Sequence, residues 1–288
     1  MVFLRSHVRA VQPQSRAEVR PRDTGVVSAD AAGSEASTAP FGTLMRQWRK
    51  RRHLSQLDLA IDAQVSSRHL SFLETGRATP SRAMVLRLAT TLQVPLRERN
   101  QMLFAAGFAP EYLERSLDDP EMAAVRHGVE QVLAAYDPYP CLAVDRGWNI
   151  LRANSGASVL LDGVAPHLLV RPNALRIALH PGGLAPRIEN LGQWRKHVIS
   201  RLQREAAASG AADLISLLTE IESFPGDFAD IDEAGEIVVP LRLRTAAGPT
   251  LSFLSTVTTF GTALDLTAAE LSIEAFLPAD DVTAVALR

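Results

Sequence analysis

The sequence predicts an α+β chain in two parts: an N-terminal all-α unit of five short helices, then an α/β unit carrying a mostly antiparallel sheet. Three observations predict this. Between Phe41 and Gly107 apolar residues recur at i, i+3, i+4 and i+7, the period of helices with one buried face. After Pro140, and again near the C-terminus, short apolar runs and two-residue alternation take over, the period of strands. Within the helical part, Ser55–Thr75 (SQLDLAIDAQVSSRHLSFLET) breaks at Gln64-Val65-Ser66 into two short runs.

The first run places Leu59, Ala60 and Ala63 on one face, and Ser55 stands where its hydroxyl can satisfy an orphan N–H. The second opens at Ser66, turns Leu70 and Leu73 inward, leaves Ser67, Arg68, His69, Ser71 and Phe72 on other faces, and closes at Gly76. Two short helices, a tight turn and a polar outer face describe a helix-turn-helix. A helix fits the DNA major groove, where each base pair shows a distinct donor and acceptor pattern. Residues at its start reach base edges, and Arg68 is the candidate for a bidentate guanine contact. Between Phe41 and Pro80, seven basic residues (Arg46, Arg49, Lys50, Arg51, Arg52, Arg68, Arg77) face only Asp58, Asp62 and Glu74, an excess suited to phosphates.

From about Phe41 to Leu92, SQLDLAIDAQVSSRHLSFLETGRATPSRAMVLRLATTL resembles the helix-turn-helix of the XRE family, to which the lambdoid phage repressors also belong. The resemblance implies a lambda-repressor-like fold. It implies that Gln56 binds a phosphate, that Ser67, Arg68, Ser71 and Phe72 face the groove, and that an Arg49–Glu74 salt bridge locks the first helix to the third. With Ser66, His69 and Arg77 these make the candidate DNA-binding set. Gln64 stands where the family usually has Gly, so a non-Gly residue is expected to take positive φ there, at about 1 kcal/mol or more.

The remaining elements follow in order. Residues 1–40 are rich in Ala, Ser, Arg, Val and Pro without sustained period, and read as a disordered tail. The DNA-binding unit spans 41–108. Its first helix runs from about Phe41 to His53 on Phe41, Leu44, Met45 and Trp48; the fourth restarts at Pro80-Ser81 with Pro in the first turn; the fifth, about Leu96 to Ala106, carries Met102, Leu103 and Phe104. Residues 109–120 are a connector with an acidic cluster, and 121–288 form the second unit. There a helix is expected over Glu121–Tyr136, then a hairpin of Cys141–Asp145 and Trp148–Arg152, a short helix over Asn154–Leu161, an ambiguous stretch over Arg171–Leu179, and helices over Leu191–Ala208 and Ala212–Ser223. Strands are expected over Ile237–Thr245, Leu251–Phe260 and Glu270–Leu277, with Ala247-Gly248-Pro249 as a turn and Glu270, Ser272, Glu274 and Phe276 opposite the apolar face. Two strands, helices, then three antiparallel strands is the PAS order, a sheet curved around a cavity roofed by helices.

YPCLAVDRGWNILRAN, NALRIALHPGGLAPRIENLGQW and TVTTFGTALDLTAAELSIEAFLPAD, with the segment after the helix-turn-helix, look like the MmyB-like transcription regulators. That resemblance implies a PAS-like ligand-binding domain for a small apolar molecule, a fatty acid or another apolar class. Trp148, His180, Arg187 and Trp194 are the candidate ligand-binding residues, set against plainer readings: core tryptophans, a chain turn at His180-Pro181-Gly182-Gly183 and a solvated arginine.

The 288 residues carry a net charge of −2 and 47% hydrophobic side chains, enough for two domains. The single Cys141 excludes an internal disulfide, suits a reducing cytoplasm and sits in an apolar run as a packed thiol. No run of about 18 apolar residues suggests a membrane span, and the N-terminus lacks the apolar core of a signal peptide. No nucleophile elbow, phosphate loop or metal-spaced His/Cys cluster appears, so neither catalytic residues, a metal nor a cofactor is expected. The expectation is a cytoplasmic regulator that binds a double-stranded DNA operator as a homodimer and senses a small apolar ligand. The rivals are a regulator whose PAS-like unit only dimerises, and an enzyme with a DNA-targeting module.

Overall fold

The computed structural model describes residues 40–226, 238–246, 248–261 and 263–288. Residues 1–39 of the expected tail, the strand start at Ile237 and Ala247 of the expected turn lie outside the described residues.

Five helices make the N-terminal unit: α1 (Phe41–Arg51), α2 (Gln56–Asp62), α3 (Ser67–Glu74), α4 (Arg82–Thr91) and α5 (Leu96–Ala105). Local hydrogen bonds set their starts. Ser55, Ser66 and Ser81 accept from the backbone N–H of Asp58, His69 and Met84, and Asp58 returns a bond to the Ser55 N–H. The first helix ends before His53, which turns to a φ of 56°. Pro80 precedes the Ser81 cap instead of lying in the first turn. Gln64 takes a φ of 54°, the left-handed conformation expected at that turn. Met45, Trp48, Leu59, Leu70, Leu73, Leu88, Met102 and Leu103 form the core. Phe104 is 63% exposed: it points away from the face shared by Met102 and Leu103.

After the connector come α6 (Ala123–Tyr136), β1 (Cys141–Val144), β2 (Ile150–Ala153), α7 (Ser158–Leu161), α8 (Pro166–Leu169), α9 (Ala174–Leu179), α10 (Leu191–Ser209), α11 (Ala212–Ser223), β3 (Leu241–Leu243), β4 (Leu251–Thr259), α12 (Leu266–Glu270), β5 (Ser272–Pro278) and α13 (Asp281–Ala286). The ambiguous stretch is helical because the Asn173 side chain accepts from the N–H groups of Leu175 and Arg176. Trp148 does not start the second strand: with φ at 64° it sits in the hairpin turn. Glu270 ends a helix instead of opening the last strand, because Asp265 caps α12 by accepting from Thr267 N–H.

Among the described residues the strands make one five-stranded antiparallel sheet in the order β2-β1-β5-β4-β3. Both faces of its centre are covered, so Cys141–Val144 is buried throughout. Cys141, Ala143, Ile273 and Ala275 pack toward α6 and α12. Leu142, Val144 and Phe253 face the opposite way, onto the core that α9, α10 and α11 complete. Glu274, expected on the polar face of its strand, is therefore only 4% exposed. Alternation held along β5, but α10 covers the face that would otherwise be wet.

Candidate DNA-binding face and ligand cavity

The cap at Ser66 sets where α3 begins and so aims its first turn. Ser66, Ser67 and Arg68 are exposed; His69, Ser71 and Phe72 are half-buried on the same outer side; Arg77 is exposed just after the helix. The Arg68 guanidinium lies 5.4 Å from the Phe72 ring centroid, a cation–π contact that braces it over the helix face. Arg46, Lys50 and Arg51 are exposed on α1.

Behind this face lies a buried ionic lock. Arg49 donates to both Glu74 carboxylate oxygens, Nε to Oε1 at 2.6 Å and Nη2 to Oε2 at 3.1 Å, and its Nη1 donates to the Leu54 carbonyl at 2.8 Å. Gln56 Nε2 also donates to Glu74 Oε2, at 2.7 Å. Burial opposes the Glu74 charge, but the bonds from Arg49 and Gln56 outweigh it and hold the carboxyl below the usual range. The side chain expected to reach a phosphate is thus tied to the lock between α1, α2 and α3. Gly42 completes the contact: a Cβ there would lie 2.4 Å from the Leu73 carbonyl oxygen.

In the second unit Trp148 and Trp194 come together and line an inner cavity of about 50 Å³ with Ala178, His197, Arg201 and Phe276. Trp194 stacks on His197 at 5.6 Å. Burial, with the charges of Arg201 and Arg204, pushes the His197 imidazole down and favours its neutral form. Trp194 Nε1 is buried without a hydrogen-bond partner among the described residues. His180 and Arg187 lie elsewhere. His180 meets His167 and Phe224 edge-on and accepts from Gly182 N–H at 2.9 Å, holding the chain turn. Arg187 donates to the Arg244 carbonyl at 3.1 Å and to that of Asp162, so it clamps backbone.

Sequence reasoning missed Arg201 and Glu274. The Arg201 guanidinium lies 4.4 Å from the Trp148 ring centroid, pairs with both Glu274 oxygens at 2.7 and 3.0 Å, and reaches Glu205 at 3.0 Å. Glu205 in turn accepts from Trp148 Nε1 at 3.0 Å. A seven-residue step from Trp194 along α10 was the available signal.

Charge pairs join the two units. Arg146, in the hairpin turn beside Trp148, donates to Glu98 of α5 at 2.8 Å, to Glu270 at 3.3 Å and to Asp213 at 3.0 Å. Arg97 bridges Glu114 and Glu270. The acidic connector is paired as well: Glu111 with Arg82 of the first unit and Asp118 with Arg152 of the second, while Arg115 of the connector meets Glu121. Burial pushes the Glu98 carboxyl up despite Arg146. Between the units lies a cleft of about 320 Å³, walled by Arg52 and Pro95 on one side and by Trp148, Arg201, Ala208 and Glu274 on the other. Among the described residues no helix is long and apolar enough to cross a membrane, and no group of three or more His, Cys, Asp or Glu is placed to hold a metal ion.

Comparison with known proteins agrees with this two-part layout. Residues 40–102 match the family described as helix-turn-helix domain. The chain is also 32% identical, over 110 residues covering 38% of its length and 70% of the other's, to a Bacillus subtilis (strain 168) protein described as uncharacterized HTH-type transcriptional regulator RghRB. Residues 125–288, which include the sheet, both tryptophans and Arg201, match the family described as MmyB-like transcription regulator ligand binding domain, and the chain belongs to that family: it is a DNA-binding transcription regulator with a ligand-binding domain.

Proposed function

We propose that the chain reads operator DNA through α3 as a homodimer in the cytoplasm, and that its second unit senses a small apolar molecule of the fatty-acid class without catalysing a reaction. The observation that carries the DNA half is the exposed start of α3 backed by the buried Arg49–Glu74–Gln56 lock. A rigid support fixes where Arg68 points, and base readout needs that precision. A single reading helix covers few base pairs, so two copies on paired half-sites suit it. Gln56 is within reach of a phosphate only if it exchanges Glu74 for the DNA backbone. The ligand half is supported by the apolar cavity between Trp148 and Trp194 and by the buried indole N–H of Trp194, a donor without a partner among the described residues and so free for an acceptor atom on the ligand.

Operator variants test the assignment. Arg68→Ala is expected to cost about 1–3 kcal/mol and to relax preference at one base position, whereas Arg77→Ala weakens all sequences alike. Identical behaviour of both mutants across variants would overturn this division of roles. The small inner volume favours a second reading, in which the sheet unit only dimerises. Native mass spectrometry separates them, since a sensor carries or takes up a small molecule and a pure dimerisation unit does not.

A further inference from the structure

α5 brings two neighbouring charges of opposite sign to the boundary between the units. Arg97 donates through Nε and Nη2 to Glu270 of α12, at 3.0 and 2.8 Å. Glu98 accepts from Arg146 Nη1 of the hairpin turn at 2.8 Å, and the same guanidinium reaches Glu270 at 3.3 Å and Asp213 of α11 at 3.0 Å. A slip that interchanged the two α5 positions would set Arg97 against Arg146 and Glu98 against Glu270, like against like. The joint therefore favours one register. On the α1 side, the Arg51 guanidinium lies over Gly210, the left-handed residue between α10 and α11, where a Cβ would overlap it.

The joint suits direction better than strength. Glu98 is 5% exposed, and taking such a pair out of water costs about as much as its attraction gains. Glu98 Oε2 and Arg146 Nε are both buried without a hydrogen-bond partner among the described residues, so the pair is incompletely satisfied. A contact of this kind selects one arrangement out of several more than it stabilises the fold. The selection reaches the reading helix, because α5 packs on α1 and the Arg49–Glu74 pair ties α1 to α3.

We propose that Arg146 and Glu98 are specificity-determining residues for the operator: by fixing α3 in one orientation to the sheet unit, they set the separation of half-sites that two copies of the chain accept. This rests on the homodimer reading above, with the copies joined through their sheet units. A rigid joint admits one separation, because both α3 helices must enter the major groove at once. A loosened joint admits several, without changing which bases α3 reads.

A random duplex pool is selected on the full-length protein and on Arg146→Met, Glu98→Gln and Arg176→Met, and the bound sequences are read for half-site and separation. Arg176→Met is the control: it removes a two-bond ion pair with Glu220, both bonds at 2.7 Å, that lies wholly within the sheet unit. Melting curves report the folding of each variant. Glu98→Gln keeps the size of the side chain, so it remains readable even where Arg146→Met unfolds. Wild type and Arg176→Met are expected to enrich one separation. Arg146→Met and Glu98→Gln are expected to enrich the same half-site, with the preference for that separation over its neighbours lowered about tenfold or more. Loss of stability alone moves the melting midpoint and not the separation. Folded joint variants that keep the wild-type separation as sharply would overturn this role and leave the homodimer reading standing. Single half-sites in the wild-type selection would remove the homodimer reading and this proposal together.

Discussion

Replacing Glu74 by alanine is the sharpest perturbation of the DNA-binding unit. The carboxylate is 3% exposed and its partner Arg49 is 11% exposed, so solvent screens the pair little. Removing Glu74 strands a guanidinium whose Nε and Nη2 lose their acceptors, and it frees Gln56 Nε2 as well. Leaving one member of a buried pair alone costs about 3–5 kcal/mol. For a domain of this size about 4–8 °C of melting temperature accompanies each kcal/mol, so the midpoint of the unit should fall by roughly 12 °C or more. Trp48, one residue before Arg49 and buried, reports the transition by fluorescence. The pH dependence adds a sign. Glu74 is held below the ordinary carboxylate range, so the stabilisation is complete above the unfolded-state pKa of about 4.3 and is lost as pH falls through the lower folded value. The gap between wild type and Glu74→Ala should therefore narrow in acid. Replacing both partners, as Arg49→Met with Glu74→Leu, should recover much of the loss, because no charge is left unpaired. A single mutant within 1 kcal/mol of wild type at neutral pH, or a gap that widens in acid, would refute the reasoning.

Further outcomes follow from other positions. Gly42→Ala sets a methyl 2.4 Å from the Leu73 carbonyl oxygen and 2.8 Å from that of Glu74, both backbone; α1 and α3 must separate, at about 1–3 kcal/mol, and operator affinity measured by anisotropy should fall with stability. Gln64→Gly relieves a positive φ of 54°, and after the extra freedom of the unfolded glycine the net gain should be up to about 1 kcal/mol, seen as a raised melting midpoint. Burial pushes the Cys141 thiol up to about 11, so maleimide should label it only as fast as the sheet unit opens; rapid labelling of the native protein would contradict its packing.

Much of the molecule could be read in advance, and the readable parts share a property. The Ser55 and Ser66 caps, the helical apolar stripes, the turn at Gln64 and the alternation of the C-terminal strands are decided by neighbours a few residues apart. The Arg49–Glu74 lock, 25 residues apart, came from family likeness, not from period. What could not be read from the sequence depended on distant cover. Phe104, next to Met102 and Leu103 in the chain, faces outward. His180 holds the chain turn and Arg187 clamps a backbone edge, contacts made with segments remote in sequence.

The sequence by itself determined the two-part order, the five N-terminal helices, the exposed start of α3 and the alternation of the strands. Only the tertiary structure decided that Glu274 is buried, that Arg201 crosses from α10 to meet it on the Trp148 ring, and that Arg146 leaves its hairpin to reach α5. The physical reason is range. Caps and periods act through hydrogen bonds and faces within one or two turns of chain, whereas the cover over a charge, and hence its need for a partner, is set by whichever remote element packs against that face.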